Sequence, residues 1–416
     1  MMTKVITLVL SSILEGFRRK KAIEKTKKMF SDPKKIEEIV SRIEFFDATK
    51  DVSKIKNYSF IKSGECKAKM VEETLFFNVL SSENNVEKVL SSIEVYPTKT
   101  LRNVKKVCSK RYKMNLDGKE QQWALVTGAS GGIGSHVCSI LAACGVPLII
   151  SGRNTEKLAK VALKAAMEGV CVRVIKMNVL LKSKMVSEST DMPSFVYLYD
   201  KLVGSDDIRM IYMNAGGGEF TLFEKLSHQT VQDQIELNFS SHVHLARYFM
   251  LKLKNVHKKT GQRRVGSITF TSSIVGVVPF PMTSLYSANK HAITGFSRAL
   301  RMEGSTIGVD VACACPGVVN GTHFYERELT NGFGMDSKKN QHVVRRQISR
   351  ASGTYADEAA SEIVVCASKA GAVHLVGGMA KGAASFQRIA GWGALDTIAQ
   401  GGMKSMVKQM EKREKK

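Results

Sequence analysis

Three residue types that together can move a proton onto a carbonyl oxygen stand in fixed register near the middle of the chain: Ser273, Tyr286 and Lys290. Tyr286 and Lys290 are four apart and share one face if the segment is helical. A phenol titrates near pH ~10 and is a poor acid–base group at neutral pH unless a nearby ammonium stabilises its ionised form. Lys290 supplies that ammonium. The Tyr-x-x-x-Lys spacing recurs at Tyr58–Lys62 and Tyr197–Lys201, but thirteen residues before those tyrosines lie Phe45 and Lys184, neither of use to a phenol donor. Thirteen before Tyr286 lies Ser273. That register selects Tyr286.

Upstream, the apolar run Trp123-Ala-Leu-Val-Thr-Gly128 reads as a buried strand, and Ile133 to Cys144 has helical apolar spacing. Between them lies Thr127-Gly-Ala-Ser-Gly-Gly-Ile-Gly134. Gly128, Gly132 and Gly134 therefore sit on a strand-to-helix turn, where a dinucleotide pyrophosphate can meet backbone N–H groups and the positive end of a helix. Their spacing, Gly-x-x-x-Gly-x-Gly, departs from the usual Gly-x-Gly-x-x-Gly fingerprint. A second apolar strand, Pro147–Ile150, runs into Ser151-Gly-Arg153-Asn154. No carboxylate stands there for a ribose 2′-hydroxyl, and Arg153 can pair with a 2′-phosphate, which favours NADP(H) over NAD(H). The alternative is a solvated Arg153 that merely opens a helix capped by Asn154.

These motifs, with Met213-Asn-Ala-Gly216, Asn238 and Pro316-Gly317, resemble those of the classical short-chain dehydrogenase/reductases over roughly residues 122–322. Ser151-Gly-Arg-Asn154 and Phe296-Ser-Arg-Ala-Leu-Arg-Met-Glu303 resemble the steroid dehydrogenase and 3-ketoacyl-CoA reductase branch. The resemblance implies an α/β fold, a doubly wound parallel sheet of the Rossmann type; the residues before it form an extra basic N-terminal region of uncertain structure. It implies that Tyr286 gives its proton to the carbonyl, that Ser273 holds the same oxygen, and that Lys290 also bonds the nicotinamide ribose. Asn238 completes the set by keeping a water path from Lys290 to solvent. Cofactor contacts are implied for Gly128, Ser130, Gly132, Ile133, Gly134, Arg153, Asn178, Asn214, Ala215, Gly216, Tyr286, Lys290, Pro316, Gly317 and Val319. Three positions depart from the family pattern. Met213 stands where a second asparagine is common, Asn178-Val179 replaces Asp-Val, and Gly321 occupies a threonine offset that Thr322 misses by one. The function implied is NADPH-dependent reduction of a carbonyl, or the reverse oxidation, on a hydrophobic lipid-like substrate such as a ketosteroid or 3-ketoacyl-CoA. The competing reading is a catalytically silent scaffold of the same fold, against which the intact Ser-Tyr-Lys-Asn set argues.

A chain of 416 residues, 44% hydrophobic, can bury a full core and exceeds what the oxidoreductase unit needs. The expected organisation is a basic extension over 1–121, an oxidoreductase domain over 122–378 with a substrate lid at about 318–354, and a tail over 379–416. Residues 1–120 carry 26 Lys and Arg against 16 Asp and Glu, so +10 of the formal +24 lies there. Basic and acidic residues are interspersed and lack aromatic interleaving, which argues against nucleic acid. Ile6, Leu10, Ile13, Leu14 and Phe17 share a helical face before Arg18-Arg-Lys-Lys21. A helix over 5–21 is too short to span a bilayer; it can lie on an anionic membrane surface or pack on the core. Glu15 and Glu24 speak against a mitochondrial presequence. The apolar interval from Ile274 to Met282 suits a hydrophobic substrate and equally suits core packing. Eight cysteines without Cys-x-x-Cys spacing read as reduced core residues of an intracellular protein, cytoplasmic or attached to the endoplasmic reticulum membrane. His242 and His244 diverge on a helix, and no metal is expected. The expected partners are a small hydrophobic substrate and further copies of the chain as a homodimer or larger homo-oligomer.

Overall fold

The computed structural model describes residues 33–47, 61–62, 96, 98–114, 116, 122–179, 185–187, 190–204, 207–322, 324 and 353–391. The helix expected over 5–21 and most of the expected lid lie outside them. In chain order the first elements are α1 (Pro33–Val40), β1 (Ile43–Asp47), β2 (Ile61–Lys62) and α2 (Thr98–Lys106), whose last turn continues in a wider winding to Arg111. Then come β3 (Gln122–Thr127), α3 (Gly132–Ala142), β4 (Leu148–Gly152), α4 (Thr155–Met167) and β5 (Val172–Lys176). A small hairpin, β6 (Met185–Ser187) and β7 (Thr190–Pro193), leads to α5 (Ser194–Val203), β8 (Asp207–Met213), α6 (His228–Ile235) and α7 (Ser241–Thr260). The remainder is β9 (Gly266–Thr271), α8 (Ser284–Thr306), β10 (Val309–Pro316), β11 (Val319–Asn320), β12 (Thr354–Tyr355), α9 (Ala356–Val364), β13 (Val373–Val376) and a helix α10 over 378–391.

Nine strands form one sheet in the order β13-β10-β9-β8-β3-β4-β5-β1-β2, parallel except for β2. Every residue of β3, β9 and β10 is buried, as strands covered on both faces require. Their alternate side chains feed two cores. Ala124 and Val126 pack with α3, α4 and α9 on one face, while Leu125 packs with α5, α7 and α8 on the other. The doubly wound α/β reading of the sequence therefore holds. Strand order reverses between β3 and β8, so the carboxyl ends of those strands open a crevice, the place where such sheets receive ligands.

Described residues before 122 are built into this sheet and its core. β1 extends it beyond β5 in parallel register, with Phe45 opposite Val174, and Arg173 Nε lies 2.8 Å from Glu44 Oε2. Ile43, Phe45, Val104, Cys108 and Tyr112 are fully buried in the core of the α3 side. Arg111 holds Asp310 through two hydrogen bonds of 2.5 and 2.8 Å. At the other end, Ala380 and Ala384 of α10 are buried. No helix among the described residues is long and apolar enough to cross a membrane.

Candidate active site

The end of β3 is fixed first. Thr127 Oγ1 accepts the N–H groups of Asn214 and Ala215, both at 3.0 Å, which binds the tip of β3 to the tip of β8. Gly128 turns the chain at a left-handed φ of 63°, and a Cβ there would lie 2.7 Å from Ala215 Cα. Glycine is needed on both counts. The N-cap of α3 is Gly131, which has no side chain to cap the helix, so the first N–H groups of α3 are left facing the crevice. Gly134 lies behind that wall, where a Cβ would fall 2.4 Å from Gly128 O.

A cleft of about 590 Å3 follows, running over the tips of β3, β4, β8, β9 and β10. Gly128, Ser130, Gly132 and Ile133 line it at α3, Asn214, Ala215 and Gly216 at β8, and Pro316, Gly317 and Val319 after β10. Arg153 lines its outer end, and Met177 and Val179 line it on either side of Asn178. Ser273, Tyr286 and Lys290 line its inner end, Ser273 thirteen residues before Tyr286 in sequence and on one wall with it in space. Tyr197 and Lys201 are not among the lining residues, and Tyr58 of the remaining Tyr-x-x-x-Lys match lies outside the described residues. Glycines where side chains would collide, an uncapped helix start and cations at one end make a cradle that fits an extended dinucleotide.

Ser273 caps the short turn Ile274–Gly276, its Oγ accepting from Val275 N at 3.4 Å. That turn is pressed onto α8: a Cβ at Gly276 would lie 2.6 Å from Lys290 O. Ser272 Oγ completes the junction by donating to Lys290 O at 2.9 Å. Lys290 is buried, donates to Thr271 O at 3.0 Å, and holds its ammonium 5.5 Å from the centre of the Tyr286 ring. Burial pushes it down to about 8. Asn238 is fully buried in a widened turn, Glu236–Ser240, between α6 and α7. Its Nδ2 donates to Gly217 O at 2.7 Å and Gln234 O at 2.9 Å, and its Oδ1 accepts from Gly217 N. A Cβ at Gly216 would sit 3.2 Å from both Asn238 Oδ1 and Lys290 Nζ, so the two side chains border one small space.

A model of the short chain dehydrogenase family matches residues 122–331, half of the chain. The chain belongs to that family. Its members are oxidoreductases that use a nicotinamide cofactor on small molecules. The short-chain dehydrogenase unit is 28% identical over 264 residues to the 3-oxoacyl-(acyl-carrier-protein) reductase FabG of Rickettsia bellii, covering 62% of this chain and 96% of the relative. It is 29% identical over 209 residues to the NADPH-dependent 1-acyldihydroxyacetone phosphate reductase of Saccharomyces cerevisiae, covering 49% of this chain and 63% of that one. Among solved structures, an NAD+-bound xylitol dehydrogenase aligns with a TM-score of 0.52 at 20% identity over 63% of this chain and all of the other. A short-chain dehydrogenase from Sphingobium yanoikuyae in complex with NADPH aligns at 0.50 and 22%, covering 68% of this chain and 95% of that one. Both show the same fold.

Some residues at the site have no signal in the sequence or stand off the expected register. Lys157 lines the cleft beside Arg153, and Thr322 reaches it although it is one place off the expected offset; a Cβ at Gly132 would lie 2.5 Å from Thr322 Cγ2. His242 is buried next to the site, and burial together with the charge of Lys290 pushes it down to about 3, so it stays neutral. Phe220 and Phe324 pack on Tyr286 with ring centres 6.2 and 5.9 Å away. In the apolar interval, Val275, Val278 and Met282 are buried while Phe280 is 67% exposed. All seven described cysteines are free; burial pushes the Cys108 and Cys366 thiols up to about 12. Among the described residues no cluster of His, Cys, Asp and Glu could hold a metal.

Proposed function

We propose that this chain is an NADPH-dependent carbonyl reductase of hydrophobic, lipid-like substrates such as 3-ketoacyl thioesters or ketosteroids, with Ser273, Tyr286, Lys290 and Asn238 as its reacting set. The observation that carries this reading is the single cleft that has Ser273, Tyr286 and Lys290 at one end and Arg153 and Lys157 at the other. The two cations make no ion pair among the described residues, which leaves them for a 2′-phosphate. Two relatives are by their names reductases of ketones that bear an acyl group, a 3-oxoacyl reductase and an acyldihydroxyacetone phosphate reductase, and the latter is NADPH-dependent.

The residues divide the work by their chemistry. Gly128, Gly132 and the open N–H groups of α3 would take the pyrophosphate, and Ser130, Ile133, Asn214 to Gly216, Pro316, Gly317 and Val319 would surround the rest of the dinucleotide; Asn178 is not among the lining residues and would act only from beside them. When bound, NADPH supplies a hydride to the carbonyl carbon. Tyr286 gives its phenolic proton to the carbonyl oxygen, which leaves an alcohol and a phenolate. Ser273 holds the same oxygen and stabilises the charge that builds on it. The Lys290 ammonium sits close enough to stabilise the phenolate, and Asn238 connects it toward solvent so that Tyr286 is reprotonated.

Purified protein with NADPH and a panel of 3-ketoacyl-CoA, ketosteroid and retinal substrates should lose absorbance at about 340 nm, and Tyr286→Phe should remove that activity. A Tyr286→Phe protein that retains it sinks the mechanism. NADPH binding with no turnover of any substrate would instead favour the silent scaffold.

A further inference from the structure

We infer that the end of the sheet opposite the cleft is a docking face for an anionic lipid bilayer. It is made by two segments far apart in sequence. Residues 98–113, which form α2 and its continuation, hold seven Lys and Arg and no Asp or Glu. Residues 252–264, the end of α7 and the turn that follows, hold six and again no acid. Asp310 brings them together: its Oδ2 accepts from Arg111 at 2.5 Å, and its Oδ1 lies 3.5 Å from Arg264 Nε. Asp310 is itself 3% exposed and already engaged, so it does not neutralise the surface. Lys105, Lys106, Lys110, Lys258, Lys259 and Arg263 are exposed, and none makes an ion pair among the described residues.

Helix dipoles favour cations in the last turn of α2 and of α7. They explain neither Arg102 and Arg263, which lie outside those turns, nor the lack of any Asp or Glu within either segment, where Asp310 and the Asp200 that pairs with Lys252 are the neighbouring carboxylates that engage them. The chemistry of the array selects its partner. Exposed side chains here are predominantly lysines, point charges on flexible stems; among the described residues of the two segments there is no exposed aromatic ring to stack a base and no cluster of apolar side chains of the kind that centres a protein interface, Leu251 just before the second segment being exposed singly. A sheet of anionic head groups asks for neither. The face also stands at the start of β10, while the cleft stands at its end, seven residues on and roughly 23 Å away. Docking on this face leaves the cleft open to solvent. The inference does not rest on the proposed reaction.

The full chain should sediment with phosphatidylcholine vesicles that contain phosphatidylserine and not with phosphatidylcholine alone, and high salt should release it. Lys105→Glu/Lys110→Glu should weaken binding at least about tenfold while leaving NADPH binding intact, since each lost cation contributes separately. Lys258→Glu/Lys259→Glu, on the other segment, should do the same, which keeps the test open if the first variant misfolds. Lys381→Glu/Arg388→Glu makes the same change of net charge on α10 and should bind as the parent does. Equal binding to both vesicle types, equal binding by both face variants, or an equal loss in the α10 control overturns the inference. So does binding to a short DNA duplex that matches vesicle binding and is lost in the same variants.

Discussion

Gly218→Ala is expected to slow the chemical step by about a hundredfold without weakening NADPH binding. A Cβ at Gly218 would lie 2.6 Å from Tyr286 Cδ2, 2.8 Å from its Cγ and 3.1 Å from its Cβ, whereas ordinary contact begins near 3.4 Å. Relief requires a shift of roughly 1 Å, larger than soft side chains absorb for free. Neither partner is free to give it. Gly217, next to the substitution, is held by Asn238 from both sides, through N–H to Oδ1 at 3.2 Å and Nδ2 to O at 2.7 Å. The phenol is flanked by Phe220 and Phe324, and its Cβ belongs to α8, so rotating the ring cannot clear the overlap. The new methyl therefore moves the proton donor, and a misplacement of about 1 Å is enough for a loss of order 10² in rate, near 2.7 kcal/mol. Steady-state kcat on an active substrate and NADPH titration by fluorescence would read the two effects separately. Gly295→Ala is the control, since a Cβ there meets nothing within 4 Å and alanine strengthens a helix by roughly 0.5–1 kcal/mol. A Gly218→Ala enzyme with kcat within about threefold of the parent would refute the claim that this contact places Tyr286.

The remaining expectations concern charge. Arg153→Ala and Lys157→Ala should each raise the apparent KM for NADPH more than for NADH, ten- to a hundredfold for a lost phosphate contact of about 1.5–3 kcal/mol; an unchanged preference returns them to the solvated surface. With Lys290 at about 8, its ammonium is lost as pH rises through that value, so reduction at saturating NADPH should fall there, and a rate that climbs across that range contradicts the role. The same burial depresses Lys290 from 10.5, so the unfolded chain binds the extra proton between the two values. Stability linked to this group then rises with pH across that window, and below it the buried ammonium costs up to about 3 kcal/mol. Lys290→Met should accordingly be inactive yet melt at a higher temperature at neutral pH, as thermal denaturation would show. Arg111→Ala leaves the buried Asp310 with the longer Arg264 contact as its ion pair among the described residues and should destabilise the fold by about 1–3 kcal/mol in urea; no loss would mean that the segment before residue 122 contributes little to the sheet.

What the sequence determined by itself is what depends on short-range pattern. The fully buried β3 is a continuous apolar run, the glycines follow it at once, and Tyr286 and Lys290 share a face because four residues nearly complete a helical turn. Ser273 was legible only through its spacing to Tyr286. The contact that makes the spacing meaningful is tertiary: the turn after Ser273 lies against the backbone of Lys290, across a gap that only a glycine at 276 permits. Other features had no local signature. Phe45 carries the same apolar character wherever it packs, so pairing with Val174 at the sheet edge was decided by the completed sheet. Lys157 looks like any helical lysine until the ends of β4 and α4 turn it toward the cleft beside Arg153. The lowered value of Lys290 and the neutrality of His242 exist because folding removes both from water and sets them close together. Charge composition gave a net excess of cations, and the gathering of two acid-free segments around Asp310 required a contact across 199 residues. Periodicity and turn chemistry act over a few residues and are written in the sequence; desolvation, edge pairing and charge convergence depend on which distant residues share a wall, and only the folded chain sets that.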